Sequence, residues 1–343
     1  MKGGRTAARV ARSRASKSCG WATVLSLLLA SPGAAQVTSF GPLTFEEGGP
    51  LQRISYAPMT EGAATLEPGM FSTDVWLGFS NIFEQDSADT HELFLDLERL
   101  LSTTTLRYGL IEGLEVGGRL TFETNGGGVL DSFISGWHNR LGLGNANRER
   151  YPFDQFDQRL EGARGAVLID ADQRNFALED VQLFAKWELV TSRDRASVLS
   201  LRSLTRIPTQ QDITGRAHAD FSLQALGQRS IGAWYLHGML AASTARTSPE
   251  LEAVTRRATG FLMVAAERAL SPSVAAVVQV SLATPVLKGF RGRELDHAPT
   301  NLVLGLAGRL GRSWQWDVSF QEDMPADTPA VDFTLGVRFS RTW

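Results

Sequence analysis

Hydrophobic and polar residues alternate along much of this chain with a period of two. In SWQWDVSFQ, at 313–321, every second residue is apolar, and the intervening residues are Ser, Gln, Asp, Ser and Gln. Such alternation predicts an extended strand with one apolar and one polar face, rather than a helix. NLVLGLAGRL at 301–310 and LEVGGRLTFE at 114–123 repeat the pattern. The repeated unit is therefore an amphipathic strand of about ten residues.

Twelve segments of this kind can be recognised, although the pattern is also compatible with ten or fourteen. Their predicted bounds are 70–83, 92–109, 113–124, 178–190, 197–208, 218–228, 230–243, 258–270, 273–284, 299–310, 313–322 and 331–343. The second segment changes phase near Arg99, which indicates either a bulge or two separate elements. The segment at 258–270 alternates poorly.

The connections between these segments fall into two classes. Those after even-numbered segments are short, such as LIEG and GQRS, whereas those after odd-numbered segments are longer, among them EQDSADT at 84–90 and the stretch 125–177. Short turns at one end and long loops at the other are typical of bacterial outer-membrane barrels. We therefore predict an all-β fold, a transmembrane antiparallel up-and-down β-barrel of about twelve strands over residues 70–343. A soluble all-β sandwich or propeller is the alternative.

The first 35 residues have the form of a secretory signal peptide. Six Lys and Arg residues precede the apolar run 21–30, which is too short to span a bilayer, and small residues follow it as far as Ala35. Cleavage near Ala35 would remove the single cysteine, Cys19, and leave a net charge of about −9, which argues against a nucleic-acid partner. The next segment, 36–69, is rich in Gly and Pro and is predicted to be a periplasmic lead or an inserted plug.

The long connection 125–177 contains a pattern of a different period. Its apolar residues recur at three and four positions, which predicts a short amphipathic helix. These residues are Val129, Leu130, Phe133, Ile134, Trp137 and Leu141. A long extracellular loop with such a helix could fold into the barrel mouth, cover it or lie on the outer leaflet. We expect Phe133, Trp137 and His138 to form a loop plug.

The same stretch carries a family resemblance. Gly128 to Ile134, His138, Gly142-Leu143, Arg148 and Tyr151-Pro152 are similar to a family of uncharacterised proteobacterial outer-membrane β-barrel proteins, known as domain of unknown function 3187. The resemblance implies a fold and a location in the outer membrane. It implies no activity, substrate or catalytic residue.

The last strand, VDFTLGVRFSRTW at 331–343, resembles the terminal strand of outer-membrane barrels as a class. Such strands end on an aromatic residue that helps the barrel-assembly machinery to recognise them. The resemblance assigns Gly336, Phe339 and Trp343 to this signal. Arg341 departs from the pattern, because it takes the place of the usual last aromatic residue.

Inward-facing charges are the candidate functional residues, because the polar faces of the strands line the lumen. Both signs occur, which favours ion pairs across a narrow interior as much as a selective pore. The charges are Asp74, Glu115, Arg119, Glu123, Asp180, Lys186, Glu188, Arg202, Arg206, Arg309, Asp317 and Arg338. Among them, Arg119, Lys186, Arg202 and Arg309 are predicted to set lumen selectivity.

The predicted function is a narrow channel or transporter for small solutes, gated by the 125–177 loop. A filled structural or assembly-related barrel, whose loops bind a partner or surface polysaccharide, is the alternative. A lipid-acting enzyme is less consistent with the sequence, because no His has a Ser two positions later. No catalytic residue, metal site or cofactor is predicted. The expected partners are outer-membrane lipid, the barrel-assembly machinery and small solutes.

Overall fold

The computed structural model describes residues 39–89, 91–141, 148–162, 166–170, 174–209, 219–247, 249–290, 295, 297–324 and 331–343. The strands in these ranges are β1 (Phe71–Ala88), β2 (His91–Ile111), β3 (Leu114–Gly126), β4 (Asp157–Gly162), β5 (Ala166–Asp170), β6 (Arg174–Thr191), β7 (Ser197–Pro208), β8 (Asp220–Ile231), β9 (Trp234–Thr244), β10 (Ala258–Ser271), β11 (Val274–Ala283), β12 (Thr300–Leu310), β13 (Trp314–Asp323) and β14 (Phe333–Thr342). The helices are α1 (Asp131–Leu141) and the one-turn α2 (Pro249–Glu252), and Gln52–Ile54 and Arg148–Arg150 form single 3-10 turns.

Twelve of these strands, within the described ranges, form a closed antiparallel barrel. Each of the strands β1–β3 and β6–β14 pairs with the following barrel strand, so that β3 pairs with β6. Strand β14 pairs with β1 from Ser72↔Thr342 to Asn81↔Phe333 and closes the barrel. The predicted fold class is confirmed. Strands β4 and β5, which the sequence did not predict, form a hairpin in the 125–177 connection. Strand β4 also pairs with residues 91–96 at the start of β2.

The two ends of the barrel differ. At the short-turn end the connections are 112–113, 192–196, 232–233, 272–273 and 311–313, and the barrel also begins and closes there. The other end, the long-loop end, carries the longer connections. In outer-membrane barrels the short turns face the periplasm. Among the described residues, no helix is long and apolar enough to cross a membrane.

The prediction of a loop at 84–90 was wrong, because β1 continues to Ala88 and β2 begins at His91. Strands β1 and β2 remain paired up to Ala88↔His91, so this hairpin rises beyond its neighbours. The pairing is continuous through Arg99, where the sequence suggested a bulge or a break. Between Arg99 and the short-turn end most apolar residues of β2 are exposed on the outside, as Leu106 is, and Leu101 is the buried exception. On the other side of Arg99, Leu95 faces inward and is buried. The apolar face changes side because the upper hairpin packs inward against other loops instead of against lipid.

The outer surface of the barrel is apolar and exposed, and alternate residues point inward. On β6, Leu183 and Trp187 are 57% and 62% exposed, whereas Lys186 between them is fully buried. Aromatic side chains lie near the closure, where the Phe71 and Trp343 rings make an edge-to-face contact at 5.1 Å. An apolar band with aromatic residues near its edges is the surface that a lipid bilayer requires.

The two largest of four apolar clusters in the described residues join the barrel wall to residues 39–69. The inner apolar cluster joins Phe40, Leu43 and Phe45 to inward-facing residues of the barrel wall. These wall residues are Val198, Leu226, Met239, Ala241, Phe261, Met263, Ala265, Ala275, Val277, Val303 and Ala307. The cap cluster lies at the long-loop end and joins Leu51 and Ile54 to residues of the upper strands and loops. These are Ile82, Leu93, Leu95, Leu97, Leu160, Ile169, Leu251, Val286, Leu287, Phe290, Leu295 and Val331.

Candidate functional site

Residues 39–69, which we term the lumenal segment, run through the interior of the barrel. Ser39 lies beside Glu267 near the short-turn end, with 2.6 Å between its Oγ and Oε2 of Glu267. Ile54 reaches the cap cluster at the long-loop end. Gly69 then donates its amide to the Gly109 carbonyl at 2.8 Å, again near the short-turn end. The segment therefore enters and leaves the barrel through the same end.

The lumenal segment has two limbs, before and after the turn at Gln52–Ile54, and these limbs are hydrogen-bonded to each other. The Thr60 amide donates to the Phe45 carbonyl at 2.8 Å, and the Phe45 amide donates to Thr60 Oγ1 at 2.8 Å. Thr60 Oγ1 in turn donates to the Leu43 carbonyl at 2.7 Å. Because these contacts satisfy backbone groups of both limbs, the segment has the hydrogen-bonding character of a hairpin.

Glu61 is the centre of a buried ion cluster between the segment and the wall. Its Oε1 lies 2.6 Å from Lys186 Nζ. Its Oε2 lies 2.9 Å from Arg119 Nη2 and 3.0 Å from Arg202 Nη1. Lys186 also lies 3.2 Å from Glu115. The structure thus brings three of the four predicted selectivity residues together, on the adjacent strands β3, β6 and β7, around a carboxylate that the sequence analysis did not single out.

A second cluster has the opposite polarity, because here the segment supplies the cation. The guanidinium of Arg53 lies 2.8 Å from Glu46 of the segment itself. On the wall, Arg53 Nε donates to Glu179 at 2.8 Å, and Nη2 lies 3.5 Å from Asp180. Arg206 donates to the carbonyl of Ser55 at 2.8 Å. The charges of the lumenal segment are therefore complementary to those of the wall at two separate heights.

A cavity of about 490 Å³ remains inside the barrel next to Glu61. It reaches the short-turn end, where Asp194 and Arg195 of the β6–β7 turn line it. Arg107, Arg119 and Arg338 contribute basic groups to its wall. This volume lies within the range of about 300–1,000 Å³ usual for small-molecule sites.

Asp131 fastens the 125–177 loop to the long-loop end of the barrel. Its carboxylate pairs with Arg148 and accepts hydrogen bonds from Asn81 at 2.8 Å and from the Asp154 amide at 2.7 Å. Arg148 in turn lies 2.8 Å from Asp96 on β2. Burial opposes ionisation of Asp131, but these hydrogen bonds and the Arg148 charge outweigh it and lower the pKa of this carboxyl below its usual value.

We predict that Asp131→Asn loosens the loop at neutral pH. Tryptic cleavage at the exposed residues Arg140 and Arg150 should become about tenfold faster, because the substitution removes the charged acceptor that holds Arg148. In the unsubstituted protein the stabilisation is complete above the ordinary Asp pKa of about 3.9 and is lost as the pH falls below it. Asp89→Asn, an exposed change at the same end, is the control and should leave cleavage unchanged.

The remaining predicted residues lie elsewhere. Arg309 is apart from the Glu61 cluster and places its guanidinium 5.6 Å from the Phe40 ring. Helix α1 forms as predicted, but Phe133 and Trp137 are 58% and 41% exposed and do not insert into the barrel. Residues of the lumenal segment occupy much of the interior instead. His138 lies on the α1 backbone, and the placement of its side chain is outside the described part of the structure.

Three residues at the last strand occupy different environments. Phe339 and Trp343 are exposed on the outer surface. Gly336 faces inward, and a Cβ at this position would lie 2.3 Å from Ser319 Oγ and 3.1 Å from Trp76 Nε1. Glycine at 336 thus makes room for the buried indole of Trp76, which is a structural reason for this residue. Recognition of these residues by the assembly machinery stays a prediction.

The interior offers one arrangement that superficially resembles a catalytic triad. Ser39 and Glu267 both approach the same nitrogen of His237, Nε2, at 3.5 Å and 3.0 Å. A triad requires the serine and the acid on opposite ring nitrogens, so this contact is an anchor for the start of the lumenal segment. Among the described residues, no group of three or more His, Cys, Asp or Glu is arranged to hold a metal ion.

Comparison with known proteins gives a family and a fold. A model of the family described as "Protein of unknown function (DUF3187)" matches residues 21–341. No curated protein matches the chain. The chain is similar to the COG4313 outer membrane channel from Pseudomonas putida F1, with 13% identity, a TM-score of 0.53, and coverage of 83% of this chain and 99% of that chain. It is also similar to the KdgM porin in complex with disordered oligogalacturonate (6% identity, TM-score 0.41, coverage 79% and 99%). At these identities, the first similarity shows a shared fold.

Proposed function

Since this chain belongs to the DUF3187 family and has the fold of an outer-membrane barrel, we propose that it is a channel for small solutes, seen here in a closed state. The observation that carries this proposal is the path of the lumenal segment. A segment that enters and leaves through one end can withdraw into the periplasm without threading through the barrel. A permanent filling would need no such route.

The wall behind the segment is suited to a polar passage. Strands β8 to β12 carry most wall residues of the inner apolar cluster, whereas β3, β6 and β7 carry the basic residues Arg119, Lys186 and Arg202. When the segment withdraws, water replaces it, and the basic residues would then give the passage its ion preference. Arg309 would contribute separately, near the place where the segment enters.

The 125–177 loop acts, in this proposal, as a second restriction at the mouth. Leu160 and Ile169 of the loop belong to the same apolar cluster as Leu51 and Ile54 of the lumenal segment. The exposed Phe133 and Trp137 face away from the interior and suit contact with the outer leaflet. Cleavage of the signal peptide near Ala35 and insertion by the assembly machinery complete the proposal.

Planar-bilayer recording tests this function. The full-length protein, shown to be folded by its heat-dependent gel shift, should give rare discrete steps, because the segment is held by two ion clusters. Deleting 129–143 removes Asp131, which fastens the loop to the long-loop end, and should therefore enlarge each step without making steps more frequent. Silence from both folded proteins would contradict the channel and favour the alternative, a filled barrel whose loops bind a partner or polysaccharide.

A further inference from the structure

We propose that Arg119, Lys186 and Arg202 form a carboxylate-binding site, and that Glu61 occupies this site as an internal substitute for the carboxylate of a small anionic solute. The inference rests on the proposed channel function and names the class of solute that the channel would take. In the closed state Glu61 fills the site. In the open state a solute carboxylate takes its place.

The strand register is the first argument. Lys186 and Arg202 are direct partners on the paired strands β6 and β7, and both are fully buried and point inward. Two like charges directly opposite each other destabilise a sheet unless an anion lies between them. Glu61 supplies that anion, with 2.6 Å to Lys186 and 3.0 Å to Arg202. While the lumenal segment is in place, it therefore supplies an anion that this pair of wall cations requires.

The charge balance is the second argument. Lys186 has a wall partner in Glu115, at 3.2 Å. Among the described residues, Glu61 is the carboxylate that forms an ion pair with Arg119 and with Arg202. Withdrawal of the segment consequently leaves two guanidinium groups on the wall without a counter-charge. Two guanidinium groups that both lie within 3.0 Å of one carboxylate oxygen, as these do in the closed state, form a strong site for a carboxylate.

Unused hydrogen-bond donors show that the site has capacity beyond Glu61. Nη1 of Arg119 and both Nε and Nη2 of Arg202 are buried and have no hydrogen-bond partner in the described part of the chain. The Phe184 ring lies 4.1 Å from the Arg202 guanidinium and 5.7 Å from that of Arg119, so that the two groups are oriented by a shared aromatic surface. A planar carboxylate matches this arrangement better than a spherical anion does.

Space for the rest of a small solute exists beside the carboxylate position. Glu61 and Arg119 line the cavity of about 490 Å³, together with Thr103 and Thr105. The remainder of a small solute can therefore occupy space that already exists beside the carboxylate position. Thr105 also accepts a hydrogen bond from Arg119 Nε at 3.1 Å, and this contact orients the Nη1 and Nη2 donors of the same guanidinium.

Chemical rescue in the full-length chain tests the site. Glu61→Ala removes the internal carboxylate and leaves room for acetate, so the thermal midpoint of the heat-dependent gel shift should rise by at least about 3 °C as sodium acetate is added. Sodium chloride and acetamide at equal concentrations should give no such rise. Neither the unsubstituted protein nor Glu67→Ala, an exposed acid of the same segment, should respond to acetate.

Two further variants test whether the response to acetate requires both an empty carboxylate position and the Arg119 guanidinium. Glu61→Gln fills the same space without a charge and should not respond, and Glu61→Ala combined with Arg119→Gln should lose the response. An equal effect of acetate and chloride on folded Glu61→Ala would overturn the site. If Glu61→Ala folds poorly, its refolding yield in acetate and in chloride replaces the midpoint, and equal yields overturn the site. This readout needs no pore, so rescue with silent bilayers would support the site and contradict the channel, whereas conductance without rescue would contradict the site alone.

Discussion

Deletion of residues 40–66 should convert a barrel that conducts rarely into one that is open most of the time in planar bilayers. The deletion removes Phe40, Leu43 and Phe45 from the inner apolar cluster and Glu61 and Arg53 from the ion clusters. The twelve barrel strands keep their hydrogen bonds, because each pairs with its two neighbours and β14 closes onto β1. Water can then enter and solvate the wall charges, so no buried cation is left without a partner.

The variant without 129–143 is the matched control for this deletion. It also shortens the chain but retains the lumenal segment, so its openings should stay as rare as those of the full-length protein. The folded state of each variant is checked by its gel shift before recording. Openings that stay rare without residues 40–66 would show that another part of the chain closes the lumen.

The barrel itself could be predicted from the sequence because its rule is local. Each strand must present apolar residues to lipid at every second position, and short turns must alternate with long loops. The rule also gave the inward direction of Arg119, Lys186 and Arg202, which the structure buries. It failed beyond Arg99, where β2 rises past its neighbouring strands and its apolar residues Leu93, Leu95 and Leu97 pack against loop residues.

The poor alternation of β10 has a physical reason that becomes clear from its inner surface. Leu262 and Val264 are exposed on the outside, whereas Phe261 and Met263 are buried inside against the lumenal segment. A strand with lipid on one side and an apolar filling on the other has two apolar faces, so its period of two disappears. Poor alternation in a barrel strand thus indicates an apolar partner inside.

The Glu61 cluster could not be predicted from the sequence, although three of its members were. Glu61 lies in a Gly- and Pro-rich segment without periodicity, and 125 residues separate it from Lys186. Its pairing depends on how far the segment rises before it turns at Gln52–Ile54, and no local pattern determines that height. The plug expected from Phe133 and Trp137 followed from a real helical pattern, but an amphipathic helix does not specify which surface its apolar face meets.

A disulfide between the segment and the wall should keep the channel closed. A Cβ at Gly48 would lie 3.6 Å from the Cβ of Ser80 on β1, within the range of about 3.5–4.5 Å that disulfides require. Residues 36–343 contain no cysteine, so Gly48→Cys with Ser80→Cys gives a single defined pair in protein produced without residues 1–35. The cross-link prevents withdrawal of the segment while leaving the barrel wall, the loops and the charges as they are. Ser80→Cys alone is the control, and reductant should not change its openings.

Bilayer recording of this cysteine pair, before and after addition of reductant to the same membrane, tests the central claim that the lumenal segment closes the channel and opens it by leaving. We predict that the frequency of openings is at least about tenfold lower in the oxidised protein and returns on reduction to that of the full-length protein. Equal opening frequencies in the oxidised and reduced states would contradict the claim, because ions would then pass while the segment is fixed inside.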